Sequence, residues 1–319
     1  MGECLVSLVA ADSAPFPDVR ALHPYVAGAE ANVAIGLSRL GQAVAFIGRV
    51  GDDGFGTRIL RALRGEAVDV RGVTVDADGA TGVMIRERRG VGPSEVIYYR
   101  ASSAGARLSP EDVAAAVDRG TFANARWLHL TGITPALSSS CRAAVMAALE
   151  ASRAEGMTAS LDVNLRRRLW SDAEAAVVLR DLGARVDILI AGEAEASLVT
   201  GLGVECGPMA LAEAILAMGP SLAVLKLGAG GGFALAQGGS AVRVAALPVG
   251  TVIDPIGAGD GFSAGFIAAR LEGADIPTAL AWANACGAAS VAAEGDMAGL
   301  PTRTELERLL AGGQYEALR

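Results

Sequence analysis

Strand-like and helix-like segments alternate along this chain, and that alternation limits the fold more than any other feature. Residues 4–10 read as a strand, 31–40 as a helix closed by Gly41, 43–47 as a strand, 52–56 as a turn and 57–63 as a helix. After Pro110 the order resumes. Strands are expected at 126–130, 158–162, 187–190 and 222–227, with helices at 138–154 and 193–199. A glycine turn at 228–232 leads to a return strand at 233–236, and helices at 261–271, 276–293 and 304–310 close the chain. Repeated β-α units predict an α/β fold, a mostly parallel sheet with helices on both faces. Such folds take ligands beyond the carboxyl ends of their strands.

One stretch breaks the order. Residues 81–88 and 95–100 each alternate apolar and polar, and 89–94 between them is rich in Gly and Pro. That pattern predicts a hairpin. It reads either as an appended flap or as an edge hairpin of the main sheet. Residues 12–24, with Pro, Asp and Ala, read as loop or a short edge segment.

The bulk numbers exclude several classes. The 319 residues suffice for one large domain or two modest ones, and 52% of them are apolar. A net charge of −8 argues against non-specific attraction to nucleic acid or to an acidic membrane. Cys4, Cys141, Cys206 and Cys286 form no CxxC pair and have apolar neighbours, so buried free thiols and a reducing compartment are expected. No signal peptide precedes Gly2-Glu3, and no apolar run reaches the ~18 residues of a membrane span. A cytoplasmic protein is the expectation.

The strongest candidate for chemistry is Asp254-Pro-Ile-Gly-Ala-Gly-Asp260, placed before an apolar helical run. A helix start points unpaired N–H groups and a positive dipole end into the loop, and glycines let an anion approach. Asp260 then sits at the mouth of an anion hole, where a carboxylate serves as a proton acceptor. That pairing predicts phosphoryl transfer to a hydroxyl. The plainer reading is a tight turn capped by Asp260.

Weaker candidates follow. Lys226-Leu-Gly-Ala-Gly-Gly-Gly232 could pack on a nucleotide or form only a hairpin turn; it is neither a Walker A loop nor a Rossmann fingerprint. Lys226 is also the one lysine of the chain. Asp162, Asn164 and Arg166 share one side if that segment is extended. Glu30 and Asn32 could bond a polyol or belong to a helix start. Tyr98 and Arg100 share a strand face, suited to hydroxyls and a carboxylate or else to solvent. His23 and His129 lack metal-ligand spacing, and His129 reads as a satisfied core residue.

Together these pieces resemble the ribokinase-like (PfkB) sugar kinases over nearly the whole chain. The carriers are Gly28-Ala-Glu-Ala-Asn-Val-Ala34, Leu40-Gly41, Gly48-Arg-Val-Gly-Asp-Asp-Gly-Phe-Gly56 and Asp254-Pro-Ile-Gly-Ala-Gly-Asp-Gly-Phe262. Tyr98-Tyr-Arg-Ala-Ser-Ser-Ala-Gly105, Leu128-His-Leu-Thr-Gly-Ile133 and Asp162-Val-Asn-Leu-Arg-Arg-Arg-Leu-Trp170 are similar to 2-keto-3-deoxygluconate kinases.

The resemblance implies a three-layer α/β/α domain (1–10, 28–72 and 104–319) with a small β-lid (11–27 and 73–103). It implies ATP and Mg²⁺, with a monovalent cation as a further candidate, and transfer to the terminal hydroxyl of a keto-deoxy sugar acid. It makes Asp260 the base and Gly257, Ala258 and Gly259 the anion hole. It places Asn164, Lys226, Gly228, Gly230, Gly231 and Asn284 around ATP. It gives the sugar acid to Gly28, Ala29, Glu30, Asn32, Tyr98, Arg100 and Arg166, with Asp296 as a further candidate, and the metal to Glu195. It also implies self-association through the lid, and no nucleic-acid or membrane partner. The family's paired glycines are Ala27-Gly28 here, and its Asn-x-x-Glu is Gly192-Glu-Ala-Glu195. Two alternatives stand beside this reading: another kinase of the family, such as a fructokinase, and a catalytically weak sugar-acid binding protein.

Overall fold

The computed structural model describes residues 1–88, 95–293 and 295–312. They divide into two compact units, one of Met1–Ala31 and Ala45–Ala175, the other of Asn32–Val44 and the chain from Ala176 onward. In chain order the first unit holds β1 (Leu5–Ala10), β2 (Leu22–Ala27), the start of α1 (Ala29–Arg39), β3 (Gly48–Gly51), α2 (Gly54–Gly65), β4 (Val73–Asp76), β5 (Val83–Arg86) and β6 (Val96–Tyr99). It continues through α3 (Pro110–Asp118), β7 (Trp127–Thr131), α4 (Thr134–Leu137), α5 (Ser139–Ala154), β8 (Thr158–Asp162) and the start of α6 (Asp172–Gly183).

In this unit β1 is an inner strand of a four-stranded sheet ordered β2-β1-β5-β6. It runs antiparallel to β2 and parallel to β5. The expected hairpin forms as the antiparallel pair β5–β6; its turn, 89–94, lies outside the described residues. Parallel pairing also joins β3 to β4 and β7 to β8. Helix α2 shows why its sequence folds as it does. Asp53 accepts the Gly56 N–H at 2.7 Å as a cap, Ile59 and Leu63 are buried, and Arg58, Arg61 and Arg64 face outward.

The second unit contains the rest of α1 and α6, then β9 (Ile188–Gly192), α7 (Glu193–Thr200), α8 (Gly207–Met218), β10 (Leu222–Lys226), β11 (Gly232–Ala236), β12 (Val242–Val244), α9 (Ala258–Leu271), α10 (Ile276–Ser290) and α11 (Arg303–Leu310). β9 and β10 are parallel, and β11 and β12 add antiparallel strands. Leu189, Ile190, Leu225 and Phe266 are fully buried. Helix α9 is buried almost all round, and its small residues explain how. A methyl at Gly265 would lie 2.6 Å from the Trp282 carbonyl oxygen, and one at Gly261 3.0 Å from that of Cys286. Only bare backbone lets α9 and α10 approach this closely.

Several expectations need correction. Residues 43–47 form no strand: Ala45 makes one isolated bridge to Asp69, and the ladder starts at Gly48. The apolar run there, Phe46 and Ile47, reports burial rather than pairing. The helix expected from Gly261 begins at Ala258, because Gly257 turns the chain with a φ of +83°. The 162–166 segment is not extended, since Asn164 has a φ of +39°. Cys206 is exposed, on the short turn Val204–Cys206 before α8, while the other thiols are buried. Among the described residues, no single helix is long and apolar enough to cross a membrane.

Candidate active site

In the second unit the candidate residues gather at the carboxyl ends of the parallel pair β9–β10. Lys226 ends β10 and sits in register with Gly192, the last residue of β9. Gly232 of β11 pairs with Lys226 from the other side. Against them lies the start of α9. A methyl at Gly259 would stand 3.3 Å from Lys226 Nζ, so the ammonium lies alongside the first turn of this helix. The helix-start amides of that turn and the ammonium together favour negative charge here.

Asp260 is the acidic group of the turn and is 6% exposed. The Asn32 side-chain amide donates to its Oδ2 at 2.8 Å. Asn32 is itself buried, on the part of α1 that belongs to this unit. Gly257 packs so tightly that a methyl would lie 2.6 Å from the Asp296 carbonyl oxygen. Asp254 accepts the Ile256 N–H at 3.1 Å, which shapes the approach to the turn. Asn32, Lys226, Gly257, Ala258, Gly259, Asp260 and Asp296 are thus brought together here.

Other expected nucleotide residues have structural partners. Asn284 donates to the carbonyls of Val244 and Ala245, both at 3.0 Å. Gly228 and Gly230 bound a single 3-10 turn. Gly231, at a φ of +88°, would drive a methyl to 2.1 Å from the Val244 carbonyl oxygen. Glu195 folds back to accept the Gly192 N–H at 2.7 Å. Among the described residues no group of three or more His, Cys, Asp or Glu side chains is placed to hold a metal.

In the first unit, Gly28 has a φ of +136° and a methyl there would meet the Glu3 carbonyl oxygen at 2.5 Å. Ala29 and Glu30 follow it, both buried. Glu30 Oε1 accepts the hydroxyls of Thr131 at 2.7 Å and Thr134 at 2.5 Å, so this carboxylate braces α1 against the end of β7. His129 is a buried core residue, with Nδ1 2.8 Å from Ser160 Oγ. Asn164 is buried beyond β8, and Arg166 is exposed. Arg168 bonds the Val96 carbonyl on β6. Tyr98 and Arg100 do share a face, with the guanidinium 5.5 Å from the ring centroid. They line a groove of about 1270 Å³ with Phe55, Arg58, Arg61 and Ser103.

Arg100 also has a partner that the sequence reading missed. It forms an ion pair with Glu3, whose side chain is wholly enclosed. Glu3 Oε1 accepts the Ser103 hydroxyl at 2.6 Å as well. Burial pushes the Glu3 carboxyl above its usual range, and Arg100 and Ser103 oppose that rise. One acidic residue just ahead of an apolar strand was the only available signal.

The family model for pfkB family carbohydrate kinases matches residues 1–303. The chain belongs to the PfkB family. Among curated relatives, this PfkB chain is 37% identical over 312 residues to a 2-dehydro-3-deoxygluconokinase of Bacillus subtilis (strain 168), covering 97% of this chain and 94% of that one. It is 38% identical over 314 residues to the Thermoproteus tenax protein of the same name, covering 97% and 93%. Among solved structures it resembles a candidate ribokinase II of Escherichia coli, in complex with ATP and Mg²⁺, with a TM-score of 0.88, 29% identity and coverage of 98% and 97%. The protein is therefore a PfkB sugar kinase of ribokinase-like α/β fold, close to the 2-dehydro-3-deoxygluconokinases.

Proposed function

We propose that this kinase transfers the γ-phosphoryl group of ATP to the terminal hydroxyl of 2-dehydro-3-deoxygluconate, giving the 6-phosphate and ADP. The observation that carries the reading is Asp260 in the first turn of α9, held by Asn32 beside the Lys226 ammonium. Asp260 takes the hydroxyl proton as the oxygen attacks phosphorus in line. The amides of Gly257, Ala258 and Gly259 and the Lys226 ammonium stabilise negative charge on the moving group. Asn164, Gly228, Gly230, Gly231 and Asn284 flank the nucleotide in this reading. Gly28, Ala29, Glu30, Asn32, Tyr98, Arg100, Arg166 and Asp296 serve the sugar acid.

Mg²⁺ suits these residues as an ion that enters with the phosphates. It keeps several waters and asks the protein for one or two carboxylates rather than a cage. Glu195 is the carboxylate the family motif leaves for it, and Gly192 removes the amide that would accompany it. When bound, the ion would supply charge neutralisation for the phosphates. A monovalent cation belongs to the reading only as an activator to be tested by exchanging K⁺ for Na⁺. Self-association belongs to it through the β2–β6 sheet, which exposes Leu22, Tyr25, Tyr98 and Tyr99.

The test is a coupled ADP-release assay with ATP and Mg²⁺ across 2-dehydro-3-deoxygluconate, fructose and ribose. The sugar acid is expected to give the highest kcat/KM, and Asp260→Asn to abolish turnover while ATP still binds. Equal turnover of fructose and the sugar acid defeats the substrate assignment. Full activity in Asp260→Asn defeats the base.

A further inference from the structure

We propose that Glu3 is the positioning residue for Arg100, presenting its guanidinium to the groove of the first unit as a receptor for a ligand carboxylate. The inference deepens the substrate reading above and rests on it. Three observations carry it. The Glu3 side chain is fully enclosed and paired with Arg100. It is also built in: methyls at Gly82 and Gly105 would fall 2.6 Å and 2.7 Å from Glu3 Oε1, so two backbone segments leave room for this carboxylate and nothing larger. Arg100 emerges from the pair alongside Tyr98 and lines the groove of about 1270 Å³.

The physics follows from the side chains. A free arginine loses much rotamer freedom when it binds an anion, and that loss weakens recognition. Here Glu3 and the Tyr98 ring have already ordered it. A buried carboxylate is stable only with its cation beside it, so the pair holds Arg100 in place. Arginine carries five N–H donors, and one carboxylate does not exhaust them. Arg100 Nε is buried and has no hydrogen-bond partner among the described residues. A planar carboxylate matches the guanidinium fork, whereas a ketose offers only hydroxyls.

The experiment measures binding by calorimetry and turnover by ADP release, for 2-dehydro-3-deoxygluconate and for fructose. In Glu3→Gln the sugar-acid Kd and KM should rise about tenfold or more while kcat holds within about twofold and the fructose constants do not move. A purely structural role would move both sugars alike. Arg100→Lys keeps the charge and the Glu3 partner but not the fork, and should show the same selective loss at an unchanged melting temperature. If Glu3→Gln fails to fold, Glu3→Asp decides: it keeps the charge but shortens the reach to Arg100, and should show the same selective loss. Equal losses on both sugars, or no change in either variant, overturn the proposal. Wild-type protein that binds the sugar acid without phosphorylating it sinks the kinase reading alone. Wild-type protein that binds fructose as well as the acid overturns this one.

Discussion

The Asn32 side-chain amide donates to Asp260 Oδ2 at 2.8 Å although 228 residues separate them in sequence. One carboxylate oxygen is thereby fixed, and with it the rotamer of the whole group. Hydrogen bonds to charged groups contribute about 1.5–3 kcal/mol, and each 1.36 kcal/mol is about tenfold in rate. Asn32→Ala should therefore lower kcat by roughly ten- to a hundredfold. Nucleotide affinity should stay close to wild type. Steady-state kinetics with an ATP titration check both, and an undiminished kcat would show that Asp260 needs no such support.

Gly257 is the hinge of the anion turn. Its φ of +83° strains any L side chain, and a methyl would meet the Asp296 carbonyl oxygen at 2.6 Å. Gly257→Ala should cost about 1–3 kcal/mol of stability and most of the activity. Gly54, at the start of α2, has open space and ordinary φ, so Gly54→Ala should be near neutral in stability. Urea unfolding midpoints of the two variants test the contrast. Equal shifts would refute the steric account.

Much of this was legible beforehand, for physical reasons. Glycine-rich turns beside apolar runs mark chain reversals, so the existence of α9 and the 228–231 turn were readable, although α9 starts three residues earlier than expected. The hairpin announced itself by alternation. What escaped were contacts set by tertiary packing. Glu3 looks like any acid ahead of a strand, and only the fold brings Ser103 and Arg100 to it. Likewise only the fold brings the Asn284 amide to the carbonyls of Val244 and Ala245. Helices α3, α6 and α8 escaped because runs of Ala blur the period that marks a buried face.

An ion cluster around the buried Asp76 carboxylate contributes to the acid limb of stability. Asp76 Oδ2 accepts Arg49 Nε at 3.0 Å, and Arg107 stands 3.4 Å away. The Arg49 hydrogen bond, chiefly, holds the Asp76 carboxyl below its usual range. A depressed carboxylate stabilises the fold above its unfolded value of about 3.9 and loses that contribution as pH falls through the lower folded value. Asp76→Asn should therefore be less stable than wild type at neutral pH, and the gap should close below about pH 4. Melting temperatures across pH 3–7 report it. A constant gap would exclude Asp76 as the titrating group.

Lys226 offers a chemical probe, since no other lysine exists in the chain. Amine-directed acylation should label one side chain, and bound ATP should slow that labelling by about tenfold or more if the phosphates occupy the α9 turn. Peptide mapping by mass spectrometry reads the site. Labelling at the same rate with saturating ATP would move the phosphates elsewhere.

Thiol reactivity gives an independent check on packing. The thiolate is the reactive form, and burial suppresses it. Burial pushes Cys286 up to about 12 and Cys141 up to about 11, and drives Cys4 upward as well. At pH 8 the Cys286 thiolate is then about one part in ten thousand. Cys206, exposed ahead of α8, has no such shelter. A disulfide-exchange reagent should therefore titrate one thiol quickly in the native protein and all four after denaturation. Two or more fast thiols in the native state would mean that α9 and α10, or the strands around Cys4, open far more readily than their close packing allows.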